Sequence, residues 1–145
     1  MMKLVLSVLF AALLLTPACG GSPTDPSVNT NVAYSQTDLT VGTGKVAASG
    51  NTVTTNYTLW LYSPTNSENK GRQVETSIGK TPFIFVLGTG SVIKGFDQGT
   101  VGMAVGGKRR LIIPPSLGYG NQISGGGTIP ANATLVFEVE LLNVV

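Results

Sequence analysis

The sequence predicts an α+β domain in which a curled antiparallel β-sheet wraps one short α-helix. Three features carry that expectation. Two long segments alternate apolar and polar residues, two shorter Val- and Ile-rich runs are closed by Gly or Pro, and a single helix candidate is too weak to stand alone.

The amino terminus stands apart from that domain. "MMKLVLSVLFAALLLTPACGGSPTD" has one Lys, an apolar run Leu4–Leu15, then small residues up to Cys19. The run is shorter than the ~20 residues that cross a bilayer and suits the h-region of a signal peptide over 1–18. A buried free thiol is the alternative for Cys19, but the residue follows the h-region directly and precedes a segment with no apolar run to bury it. The arrangement resembles the lipobox of bacterial lipoproteins, with Thr16 where that pattern favours Leu. The resemblance implies lipidation of Cys19 as the first residue of the mature chain. It also implies a protein anchored in the cell envelope, on the periplasmic side of the outer or inner membrane or at the cell surface. Residues 19–36, from Cys19 through "GGSPTDPSVNTNVAYSQ", read as a flexible polar tether, which leaves 37–145 as the folded domain.

Within that domain "DLTVGTG" is a weak first strand. "TVTTNYTLWLY" alternates, placing Val53, Thr55, Tyr57, Leu59 and Leu61 on one face. Trp60 has the opposite parity and points away from Tyr57. "YSPTNSENKGR" reads as a long polar connection. "PFIFVLG" and "KRRLIIP" are short strands, and the Lys108–Arg110 run reads as a solvated edge with no assigned partner. Between them, about Lys94 to Thr100, lies the helix candidate. Two glycines make it poor on propensity, so it requires tertiary packing against the concave face of the sheet. "ATLVFEVELLNVV" closes the domain with Leu135, Phe137, Val139 and Leu141 on one face; like the long early segment, it reads as a half-buried antiparallel strand.

Composition removes most chemistries. The chain has no His and one Cys, so zinc sites, Cys/His pairs and Ser-His-Asp triads cannot be assembled, and no metal or cofactor is expected. A formal charge of +2 with 11% charged residues does not point to nucleic acid. The glycines around 95–107 do not form a phosphate loop, because "GxxxxGK[ST]" is absent.

"FIFVLGTGSVIKGFDQGTVGMAVGGKRRLIIPPSLGYG" followed by "TIPANATLVFEVELLNV" resembles the FKBP family of peptidyl-prolyl cis/trans isomerases, over roughly Asp38 to Val145. The resemblance implies five or six antiparallel strands curled around one helix, with the substrate proline held between helix and sheet. It implies proline-containing polypeptide clients from among exported proteins, and macrolide-type ligands as possible occupants of the same site. Matched position by position, Tyr57 takes the place of the pocket tyrosine. Phe83 and Phe85 are wall positions, of which only one need face the pocket. Val92 leads into the helix, the backbone N–H of Ile93 is the donor for a substrate carbonyl, and Phe96 is the floor. Tyr119 offers a phenolic donor, and Ile129 and Phe137 close the far side. Val74 and Glu75 stand where the family commonly carries a Phe-Asp pair. The chemistry agrees with the missing reagents: rotation about a prolyl amide breaks no covalent bond and meets a barrier of about 18–20 kcal/mol set by amide resonance. Two functions follow from the resemblance and its departures. One is an isomerase assisting the folding of exported proteins. The other is an anchored holdase, or proline-segment binding module, with little catalysis.

Overall fold

The structure, a computed structural model, describes residues 32–145. The signal-peptide reading, Cys19 and the tether as far as residue 31 lie outside the described residues. Six strands and one α-helix follow in order, with short 3-10 turns between some of them: β1 (Ser35–Thr40), β2 (Thr52–Tyr62), β3 (Lys70–Thr76), β4 (Phe83–Val86), α1 (Lys94–Thr100), β5 (Lys108–Ile113) and β6 (Leu135–Val144). The six strands form one antiparallel sheet in the order β1-β5-β6-β2-β3. β4 pairs with the first half of β2, where β3 does not reach.

The two alternating segments become the central pair, β2 against β6, with Leu59 opposite Phe137 and Tyr57 opposite Val139. Their shared inward face, including Val53, Leu59, Leu61, Leu135, Val139 and Leu141, is buried and forms the core. α1 has the expected bounds and lies across this face. A Cβ on Gly95 would sit 2.5 Å from Ile113 Cγ2, and one on Gly99 2.5 Å from Leu111 Cδ2. The glycines that weaken the helix in isolation therefore let its backbone rest on β5, and packing supplies what propensity lacks.

Three expectations need correction. β1 begins at Ser35 rather than at Asp38, and Tyr34 already packs against the core with its hydroxyl 3.4 Å from the Gly95 carbonyl. Tyr34, Ser35 and Gln36 thus belong to the fold and not to the tether. Pairing across β5, Gln36 with Leu111 and Thr37 with Arg110, decides this where polarity alone misleads. β3 also takes up Lys70–Arg72 from the segment read as a connection. Its residues alternate poorly, and only the ladder to β2 identifies it.

The third correction concerns Lys108–Arg110, which is no edge: β5 lies between β1 and β6. Arg109 is buried, with Nε 2.6 Å from Asp38 Oδ1 and Nη1 donating to the carbonyls of Gly99 at 2.9 Å and Val101 at 3.2 Å. Its guanidinium thereby satisfies orphan carbonyls at the end of α1. On the opposite face Glu138 receives Lys70 at 2.5 Å, Arg110 at 2.9 Å and Lys108 at 3.1 Å. Burial pushes the Glu138 carboxyl up, but these three cations outweigh it and hold the group at about 2. Lys70 also lies 4.7 Å above the Trp60 ring, on the face away from Tyr57.

Candidate functional site

A cavity of about 430 Å³ opens between α1 and the concave face of the sheet. Period-two geometry brings Tyr57 and Leu59 to it from β2 and Phe137 from β6, while α1 delivers Phe96 from below. Phe96 is the hub of the aromatic set. Its ring meets Phe137 at 5.1 Å, Phe85 at 5.5 Å and Tyr57 at 5.9 Å between centroids. Phe83 completes the wall, edge-on to Tyr57 at 5.7 Å. The contacts among Tyr57, Phe83, Phe96 and Phe137 are mostly edge-to-face or tilted, the arrangement aromatic quadrupoles favour.

The polar groups sit at the mouth. Glu75 pairs across the ladder with Leu59, so its side chain shares the face that carries Tyr57. Its carboxylate faces two phenols. Burial, and after it the Glu75 charge, push the Tyr57 phenol up to about 12. Burial and then Glu75 also raise Tyr119, against a hydrogen bond with Ser124 that lowers it. Both phenols therefore stay protonated at neutral pH and remain donors. Ile93 occupies the N-cap of α1, and among the described residues no acceptor takes its backbone N–H. The first N–H groups of a helix have no partner within it. At this position the free donor borders the cavity that Val92 and Ile93 help to line.

The sequence-derived positions divide into two groups. Tyr57, Glu75, Phe83, Val92, Ile93, Phe96, Tyr119 and Phe137 all border the cavity. Val74, Phe85 and Ile129 stand behind it. Phe85 is buried with its ring stacked on Phe83 at 5.3 Å, and Ile129 is buried within the core. Val74 is the extra residue of a β-bulge: Leu59 pairs with Glu75 but Trp60 with Gln73, so Val74 has no partner on β2 and packs at the edge of the core. The sequence reading missed Leu59 and Ser91 as lining residues. Leu59 shares parity with Tyr57 and was legible in principle; Ser91 lies in a loop without periodicity.

Comparison with known proteins places this geometry. The family profile described as FKBP-type peptidyl-prolyl cis-trans isomerase matches residues 43–142. FK506-binding protein 2 of Dictyostelium discoideum is 40% identical over 144 residues, covering 99% of each chain. The FK506-binding protein of Neisseria meningitidis serogroup A is 48% identical over 108 residues, 74% of this chain and 92% of that one. A crystal structure of AtFKBP13 superposes with a TM-score of 0.64 at 32% identity, covering 77% of this chain and 93% of the other. An aromatic hollow between one short helix and a curled antiparallel sheet, on a chain matched over this length, makes the protein a member of the FKBP-type peptidyl-prolyl cis-trans isomerase family.

Proposed function

We propose that this isomerase works outside the cytoplasm on proline-containing segments of exported polypeptides, held at the cell envelope by lipid on Cys19. The observation that carries the catalytic part is the cavity itself, an apolar hollow of about 430 Å³ with an aromatic floor and few polar groups at its mouth. A planar amide is more charge-separated than a twisted one, so a site poor in water favours the twisted form relative to the planar. The Phe96 floor and the Tyr57, Phe83 and Phe137 walls hold the pyrrolidine ring by apolar burial. The Ile93 N–H and the Tyr119 hydroxyl then fix the carbonyls on either side of the rotating bond, as donors already in place. Burial, and after it the Glu75 charge, keep the Tyr57 phenol protonated in the wall. No proton or electron pair leaves the substrate at any stage. The same hollow suits a macrolide ligand of the kind for which the family's FK506-binding members are named.

Envelope placement is supported by the amino-terminal sequence, in which Cys19 follows the apolar run directly. Among the described residues no helix is long and apolar enough to cross a membrane. An exported polypeptide whose refolding is limited by prolyl isomerisation provides the test. Catalytic amounts of the protein should accelerate the slow phase. An unchanged slow phase would remove the folding role, and retardation at stoichiometric protein would favour the holdase instead.

A further inference from the structure

Beside the proline cavity lies a second hollow, of about 330 Å³, that shares Tyr57, Glu75 and Phe83 with it. Its outer side is built by the turn after β3 and the start of β4, from Lys80, Pro82 and Ile84. Among the described residues nothing covers them. Pro82 is exposed, and Ile84 keeps 60% of its surface open to solvent. The turn is nevertheless ordered by its own chemistry. The Lys80 N–H donates to the Ser77 carbonyl at 2.9 Å, closing a four-residue turn in which Gly79 has φ +78. Ser77 in turn accepts the Tyr57 N–H on its hydroxyl at 2.9 Å. The strand that carries the pocket tyrosine therefore also fixes the loop that carries Lys80.

The charges in this hollow are arranged along its length. Glu75 lies at the inner end, facing the Tyr57 phenol. Lys80 lies among the outer residues, and no carboxylate among the described residues pairs with it, whereas Lys70, Lys108, Arg109 and Arg110 are all in ion pairs. A polypeptide seated in the proline cavity must continue past its rim, and this hollow adjoins the cavity, with Tyr57, Glu75 and Phe83 lining both. An extended chain advances about 3.3–3.6 Å per residue, so a few residues carry it across Phe83 to the rim formed by Lys80, Pro82 and Ile84. There an acidic side chain meets an unpaired ammonium, and a basic one meets a like charge.

We propose that this hollow extends the client-binding site and selects an acidic residue close to the isomerised proline, with Lys80 as the specificity-determining residue. The inference rests on the isomerase reading of the neighbouring cavity, and the experiment separates the two. Short capped peptides carry a single Leu-Pro bond, with Glu, Gln or Lys at successive positions on either side. Each is titrated into the isotope-labelled protein at low salt, and amide shifts give the affinity. At one placement the Glu peptide should bind roughly two- to five-fold more tightly than its Gln counterpart, the range of a single exposed ion pair. The Lys peptide should bind more weakly than either. The difference should shrink with added salt, and the shifts should extend through residues 77–84. Lys80→Met keeps the alkyl stem and should erase the difference; Lys80→Glu should invert it. Equal affinities for Glu and Gln at every placement, or a preference that survives Lys80→Met, would overturn the proposal. Exchange between cis and trans peptide signals in the same spectra judges the isomerase reading separately, because the affinity order does not depend on turnover.

Discussion

The Phe96 ring stands edge-on to the Phe137 ring, with centroids 5.1 Å apart and planes at 70°, so the helix and the last strand meet at the floor of the cavity. Phe96 is only 3% exposed and belongs to the core as much as to the site. Phe96→Ala should therefore cost about 3–5 kcal/mol of stability, read from the midpoint of denaturant unfolding. Phe96→Leu keeps more of the volume. It should fold with a smaller loss and still turn over proline peptides more slowly, because the aromatic floor is gone.

Tyr57 gives a prediction with a defined pH window. Its phenol is pushed up to about 12, chiefly by burial and then by Glu75, while an unfolded chain releases the same proton near 10. The folded state therefore holds the proton longer, and stability falls as pH rises from about 10 to about 12. In Tyr57→Phe the alkaline loss measured by thermal unfolding should be smaller. Activity at neutral pH should fall roughly two- to ten-fold, as expected for one lost hydrogen-bonding group. An alkaline slope equal to wild type would show that Tyr57 is not the group that titrates.

These two residues also show what the sequence makes legible. Tyr57 and Phe137 lie on long alternating strands, where period two fixes the face, and their inward placement follows from pattern alone. Phe96 lies on a helix too short and glycine-rich to predict with propensities. Its position becomes intelligible once Gly95 and Gly99 are seen resting on β5. Val74 marks where the pattern fails, since a bulge adds a residue to one strand only and no local sequence feature announces it. Lys108–Arg110 fails for another reason. A charged run reads as solvated, yet long-range partners in Asp38, Glu68 and Glu138 make it interior to the sheet.

Arg109 provides a test of that corrected reading. Its guanidinium holds Asp38 and the two carbonyls at the end of α1 in one fork. Arg109→Met should destabilise the domain by about 1.5–3 kcal/mol, the range for hydrogen bonds to a charged group. Arg109→Lys should recover less than half of that, because an ammonium cannot reach all three partners in one plane. Equal stability of Arg109→Met and wild type in chemical unfolding would return Arg109 to the surface.

The envelope reading has its own outcome. Cys19→Ser should move the protein from the membrane fraction to the soluble extract on fractionation, with unfolding of the domain unchanged, since the segment that follows Cys19 is polar and carries no apolar run to bury. Full membrane retention of the variant would show that Cys19 is not the anchor.

The most direct measurement is NMR exchange spectroscopy on a proline tetrapeptide with a bulky apolar residue before the proline, in the presence and absence of the purified protein. The cavity walls are aliphatic and aromatic, with Leu59, Phe83 and Phe137 among them. Exchange between cis and trans signals should accelerate in proportion to protein concentration. The acceleration should fall in Tyr119→Phe by a modest factor, with no loss of fold. Exchange no faster with the protein than without it would contradict the assignment of this cavity as an isomerase site.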